Sequence, residues 1–264
     1  IMPSLVGSEM CIRDSNLVDF LLMNNNEKDI FKKIKNEKKR IIFDVGSFEG
    51  KFTEKLLKLE SKSSKSKYYL FDPNPNGLKY IERLINNNKN IFYSCIGLND
   101  KVEKKTFYLN NFFEASGSSF QTVSKNDKLW NLSRKILIFL INIFNFKILN
   151  DYKILKVKTD TIDNFCSLNK INKIDLLKID SEGHEEFILK GSIKMLKKRK
   201  IKTIYLEILS KKNNFNLKKK RIINFLRTHK FICLKEYPIR SVSILSNLKC
   251  SDLLFINQNY KNEK

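Results

Sequence analysis

Two short apolar runs, "RIIFDV" and "KYYLFD", are each followed by a turn and then by a segment of helical period. In the first such segment Phe52, Leu56 and Leu59 fall on one helical face. In the second, Leu78, Ile81 and Ile85 recur at helical spacing, with Asn74 suited to an N-cap and Pro75 to the first turn. "NIFYSCIGL" supplies a third strand. Consecutive strands joined through helices run parallel, and their sheet is covered by helices on both faces. The chain is therefore expected to form an α/β domain with a doubly wound, mostly parallel sheet. At 264 residues it is long enough for one such domain, and no polar linker divides it into two cores.

After Leu98 the rhythm changes. "KKTFYLN" and "YKILKVKT" alternate like hairpin strands, while residues 111–150 fit neither period and read as an insertion. The buried-strand pattern resumes at "IDLLKID", followed by a helix carrying Ile188, Met195 and Leu196, the strand "KTIYLEIL", and a helix around Ile222, Phe225 and Leu226. "FICLKEYP" and "DLLFIN" close the pattern with no helix between them, which predicts an antiparallel edge pair. The domain is expected over residues 40–258, behind a helical segment at 16–39 and ahead of a tail at 259–264. The first fifteen residues, "IMPSLVGSEMCIRDS", resemble translated sequencing-adapter text from the edge of a metagenomic reading frame and take no part in the fold reasoning.

The 51 Lys and Arg against 28 Asp and Glu leave a charge of +23, which would suit nucleic acid, acidic lipid or an anionic substrate. The lysines, however, are scattered through helices and loops, and Asn, Ile and Phe are abundant beside them, as A/T-rich codons would produce. A nucleic-acid partner is accordingly disfavoured. The five cysteines form no CxxC pair and read as reduced thiols of a cytoplasmic protein. Two histidines, His184 and His229, are too few for a histidine metal cluster, so no metal is expected; His229 follows the Ile222–Phe225 stripe and reads as structural. No run reaches the ~18 apolar residues of a spanning helix. The segment Lys135–Leu149 reads as a lid or acceptor wall, with burial against the core or peripheral membrane contact as alternatives. Trp130 is expected to pack that insertion, "SGSS" at 116–119 to be a turn, and Gly191 to mark close packing.

The glycine turn after the first strand lies where such sheets bind ligands. Here it reads "DVGSFEG", with three residues between Gly46 and Gly50 and Asp44 ahead of the first glycine. That spacing is neither G-x-G-x-x-G nor a phosphate loop, and the carboxylates of Asp44 and Glu49 would repel a pyrophosphate. S-adenosylmethionine fits better, since it carries no phosphate and bears an ammonium and a sulfonium. Gly46 would allow close backbone approach, and Asp72, ending the second strand, could accept bonds from ribose hydroxyls.

The blocks "IIFDVGSFEG", "YLFDPNP", "VKTDTIDNF", "IDLLKIDSEGHEEFILKGS" and "YLEI" together resemble the FkbM-family methyltransferases over roughly 40–256. The resemblance implies a Rossmann-like class I methyltransferase fold with a seven-stranded sheet and S-adenosylmethionine as donor. It implies an acceptor hydroxyl on a sugar, glycolipid or secondary metabolite, hence a small-molecule or glycan partner. Asp44, Gly46, Gly50 and Asp72 become the cofactor-binding residues, and Asp180, Glu182 and His184 the corner facing the transferred methyl. His184 and Glu182 are the candidate bases, and Asp180 the residue that orients acceptor or donor. Two alternatives stand beside O-methylation. A nucleic-acid methyltransferase is opposed by "IDSEG" in place of an Asn/Asp-Pro-Pro-aromatic turn, and a non-catalytic binding protein is opposed by the intact glycine turn, Asp72 and corner.

Overall fold

A computed structural model describes residues 25–34, 39–60, 65–110, 120, 152–241 and 247–261. The leader at 1–15, the "SGSS" turn, Trp130 and the 135–149 segment lie outside the described residues. The chain begins with α1 (Asn25–Ile34), then alternates β1 (Ile41–Val45), α2 (Lys51–Leu59), β2 (Lys67–Phe71), α3 (Gly77–Asn87) and β3 (Ile91–Ser94). A short β4 (Gly97–Leu98) and the long β5 (Glu103–Asn110) and β6 (Tyr152–Asp160) follow. Then come α4 (Ile162–Leu168), β7 (Ile174–Ile179), α5 (Glu185–Lys190), α6 (Ile193–Lys197), β8 (Ile201–Lys211) and α7 (Lys212–Thr228). β9 (Phe231–Glu236), β10 (Arg240–Ser241) and β11 (Leu248–Asn257) end the sheet.

The main sheet has the order β10-β11-β8-β7-β1-β2-β3, with β9 also paired to β11, so that β9 and β10 follow one another along the outer edge of β11. From β8 to β3 the strands are parallel. β11 is antiparallel to both neighbours and sits one place in from the edge, and its pairing with β9 is the antiparallel edge pair that the sequence predicts. Both faces are covered. Phe43, Val45, Leu177 and Ile179 point into one core, where Phe43, Phe71 and Phe165 pack at centroid separations of 4.7–5.8 Å. Ile42, Leu70 and Leu176 point into the other, against Leu56 and Ile81 of the helices and Ile30 and Ile34 of α1. This two-sided burial explains why the strands read as unbroken apolar runs.

β5 and β6 pair antiparallel, as their alternation predicted, and with β4 make a separate three-stranded sheet. The predicted third strand is thus two: β3 stays in the main sheet, and β4 leaves it to pair with β6. Two helix boundaries also differ. α3 starts at Gly77, because the Asn74 side chain accepts from the backbone N–H of Asn76 (2.9 Å) and forms a turn instead of a cap. Leu78, placed on the apolar stripe by spacing, is half exposed. The single helix expected around Ile188 and Met195 is broken into α5 and α6 at Gly191, where a Cβ would stand 2.0 Å from the Asn99 carbonyl oxygen. His229 ends α7 and packs on Phe225 at 4.6 Å. Cys166 and Cys250 are buried, while Cys95 is exposed.

Candidate active site

The order of the sheet reverses between β1 and β7, and at their carboxyl ends the first glycine turn meets the acidic corner. Gly46 adopts φ 73°, and a Cβ there would lie 1.7 Å from the carbonyl oxygen of Asp180. Only a glycine lets the turn rest on the corner. Gly50 also has a positive φ, but a Cβ there would meet side-chain atoms of Ile81 and Leu84 of α3, at 3.1 and 3.2 Å. Its left-handed backbone and its packing against α3 both favour glycine, and it does not line the cavity described below.

Asp44 is fully buried beneath the turn. Thr53 Oγ1 donates to its carboxylate (2.8 Å), and Lys178 Nζ lies 3.1 Å away. The same ammonium donates to Gly46 O (3.1 Å) and stands 3.5 Å from Asp180. Burial alone would depress the Lys178 pKa; the carboxylates of Asp44 and Asp180 outweigh it and hold the group charged. Asp44 is therefore a neutralised structural anion, and its expected repulsion of a pyrophosphate is largely cancelled. Asp72, unlike Asp44, lines the site. Its oxygens accept from the backbone N–H groups of Phe48 (2.9 Å) and Asn74 (2.8 Å), and burial pushes its pKa up to about 6 against those two bonds. One acidic side chain thus fixes the loops that follow β1 and β2, and each oxygen keeps a further lone pair.

The corner "SEGHE" is tight: Glu182 has φ 49° and Gly183 φ 101°. Glu185 turns inward, accepting from Gly183 N (2.8 Å) and from the ammonium of Lys218 on α7. Lys218 also donates to the carbonyls of Gly183 (2.7 Å) and Leu209 (2.9 Å). Glu186 pairs with Arg221 at the surface. His184 is only 2% exposed, stacked on Phe187 (4.6 Å) and against Phe120 (4.8 Å). Asn99 donates its amide to Glu103 (3.0 Å), so its oxygen faces His184 Nε2 at 2.9 Å and assigns the proton to that nitrogen. Nδ1 is buried and has no hydrogen-bond partner among the described residues. Burial, with Lys105 and Lys218 nearby, lowers the His184 pKa to about 3. The imidazole is neutral at physiological pH and holds a proton poorly, which counts against its expected role as a base.

Two adjoining cavities open here. One, of about 190 Å³, is walled by Gly46, Phe48, Asp72, Gly97, Phe120 and His184. The other, of about 320 Å³, reaches Arg240, Ser241 and Cys250. Asp180, Glu182 and Glu207 line both. The structure thus brings Gly46, Asp72, Asp180, Glu182 and His184 together around one space and leaves Asp44 and Gly50 behind it. Sequence reasoning missed Lys178 and Glu207. Each is a charged residue inside an apolar strand, and "YLEI" carried the second in plain view.

A parallel sheet with an antiparallel strand one place from its edge, and a ligand cavity at the switch point, is the architecture of the class I methyltransferases. The family model described as the methyltransferase FkbM domain matches residues 44–233, and the chain belongs to that family. A search of curated proteins returned no match. Among solved structures, the methyltransferase FkbM of Methylobacillus flagellatus KT aligns at 10% identity with a TM-score of 0.48, over 94% of this chain and 60% of that one. The N-methyltransferase NodS of Bradyrhizobium japonicum WM9, solved with S-adenosyl-l-homocysteine, aligns at 9% identity with a TM-score of 0.41, over 94% and 97% of the two chains.

Proposed function

We infer that the protein is an S-adenosylmethionine-dependent O-methyltransferase acting on a hydroxyl of a sugar, glycolipid or small metabolite. The observation that carries the donor is the charge of the first cavity. Asp72, Asp180, Glu182 and Glu207 line it, and no lysine or arginine does so among the described residues. Such a wall suits an ammonium and a sulfonium and opposes a pyrophosphate. Asp72 would hold the ribose hydroxyls, and Gly46 would lie against the amino-acid end; when bound, the donor supplies an electrophilic methyl. The second cavity, bounded by Glu182, Arg240 and Ser241, supports a small polar acceptor. The chain's share of the reaction is to orient the acceptor and receive its proton, and Asp180, Glu182 and Glu207 line both cavities.

Isothermal calorimetry with S-adenosylmethionine, its demethylated product and NAD tests the donor. Binding of the first two is expected, weakened by about 1–3 kcal/mol in Asp72→Ala; tighter binding of NAD would overturn the reading. Methyl-labelled donor incubated with separated glycan, lipid and RNA fractions tests the acceptor, and label confined to RNA would overturn the hydroxyl-metabolite class.

A further inference from the structure

Glu207 is the acidic side chain of the site that neither the glycine turn nor the corner uses. It stands on β8 directly beside the end of β7, since Ile179 pairs with Leu206, and directly opposite Asp252 on β11. Asp180, Glu207 and Asp252 therefore form a row of carboxylates across neighbouring strands, an arrangement that costs stability unless something offsets it. Among the described residues two cations lie in reach. Lys178 lies beside Asp180 but is shared with Asp44, and Arg240 on β10 is 3.0 Å from Asp252 and 3.7 Å from Glu207. Set against Asp44, Asp180, Glu207 and Asp252, they leave a surplus of negative charge where the cavities join.

We propose that Glu207 is the proton acceptor of the methyl transfer, ionised when the cationic donor is bound and protonated as the acceptor hydroxyl reacts. The role rests on the O-methyltransferase reading above. In the balanced step the hydroxyl oxygen bonds the methyl carbon, the electron pair of the breaking carbon–sulfur bond stays on sulfur, and Glu207 takes the hydroxyl proton, later passing it to water. Three of the other candidates have partners that occupy them, and Glu182, which lines the same cavities, is told apart from Glu207 by the variants below. His184 gives its Nε2 proton to Asn99 and has little basicity at Nδ1. Glu185 is held by Lys218, and Asp180 by Lys178. Burial and the facing carboxylates of Asp180 and Asp252 raise the Glu207 pKa to about 7, with Cys250 and Arg240 opposing. Tyr205, two residues earlier on β8, is itself held protonated by burial and these acids. Glu207 is thus matched to neutral pH, as a general base should be.

Proton uptake and release on ligand binding tests this without knowledge of the acceptor. The donor and its product, S-adenosylhomocysteine, differ at the reacting centre by one positive charge. At pH 7 the donor should release about half a proton more than the product, counted by calorimetry in buffers of different ionisation enthalpy. A cation lowers a neighbouring carboxyl pKa, so the donor-to-product affinity ratio should rise roughly 5-fold from pH 6 to pH 8. Glu207→Gln should abolish both effects. Arg240→Ala, at a half-exposed side chain, should enlarge them by leaving Glu207 more protonated beforehand. Equal proton counts for the two ligands in the unmodified protein would overturn the proposal, as would loss of the difference in Glu182→Gln but not in Glu207→Gln. Failure of both ligands to bind would instead overturn the donor reading itself.

Discussion

The floor and the rim of the site hold the same kind of residue in opposite circumstances. On the floor, each buried carboxylate is held by hydrogen-bond donors: Asp44 has Thr53 and the nearer contact with Lys178, Asp72 has two backbone N–H groups, and Glu185 has Lys218 and Gly183 N. On the rim, Asp180, Glu207 and Asp252 lie across from one another and share two cations with Asp44. The floor charges are matched and give the fold its shape. The rim charges are in surplus, and a surplus of like charge at a cavity is a cost that a cationic ligand or a transferable proton can relieve.

The largest consequence falls on the floor. Lys218→Met removes the ammonium from a fully buried Glu185 and from two carbonyls, and stability at pH 7 should drop by about 3–5 kcal/mol. Burial already raises the Glu185 pKa against the pull of Lys218, so in the variant the acid should protonate and recover part of the loss as pH falls. Urea denaturation at pH 7 and pH 5 measures both. A loss below ~1 kcal/mol would mean that the pair is not the anchor of the corner, and the distinction between floor and rim would fail there.

How much of this was readable in the sequence follows the same division. The strands were, because β1, β2 and β7 are buried on both faces and their apolar runs admit little else. So were Gly46 and Asp72, whose positions at strand ends are set by local order along the chain. Lys178 and Glu207 were not, since their meaning lies in register: Lys178 is opposite Asp44, and Glu207 opposite Asp252, facts of strand pairing between distant segments. His184 reads differently in sequence and in space for a related reason. Among acidic neighbours in sequence it reads as a base, but its surroundings in space are Phe120, Phe187 and Asn99. Gly191 was correctly read as a close contact, yet the contact is with the backbone at Asn99, and it splits the helix that periodicity had joined.

His184 gives the second test. Its folded pKa of about 3 lies below the ordinary 6.5, so the unfolded chain binds the proton first, and the stability held above pH 6.5 is lost as pH falls toward 3. At pH 5 that loss is about 2 kcal/mol. The raised carboxylates Asp72, Glu185 and Glu207 work in the opposite direction, so the comparison has to be between the protein and His184→Gln at each pH. The stability advantage of the unmodified protein should shrink by about 2 kcal/mol between pH 7.5 and pH 5. An advantage that does not change would place His184 in contact with solvent and reopen its role as a base.

The smallest effect has the opposite sign and decides whether the rim is truly unmatched. For Glu207 the folded pKa of about 7 lies above its ordinary value of 4.5. The native state therefore holds the proton more tightly than the unfolded chain, and ionisation costs stability progressively as pH rises from 4.5 to 7, the full cost being present above that. The shift alone would correspond to about 3 kcal/mol, but the side chain is 30% exposed and water screens it, which brings the figure nearer about 1 kcal/mol. Glu207→Gln should accordingly be more stable than the unmodified protein by about 1 kcal/mol at pH 8, and the gain should vanish by pH 4.5, where both side chains are neutral. A variant less stable at pH 8 would mean that Arg240 already offsets Glu207 in full. The rim would then be a second floor, and the proton acceptor would have to be sought among groups whose charge the fold leaves free.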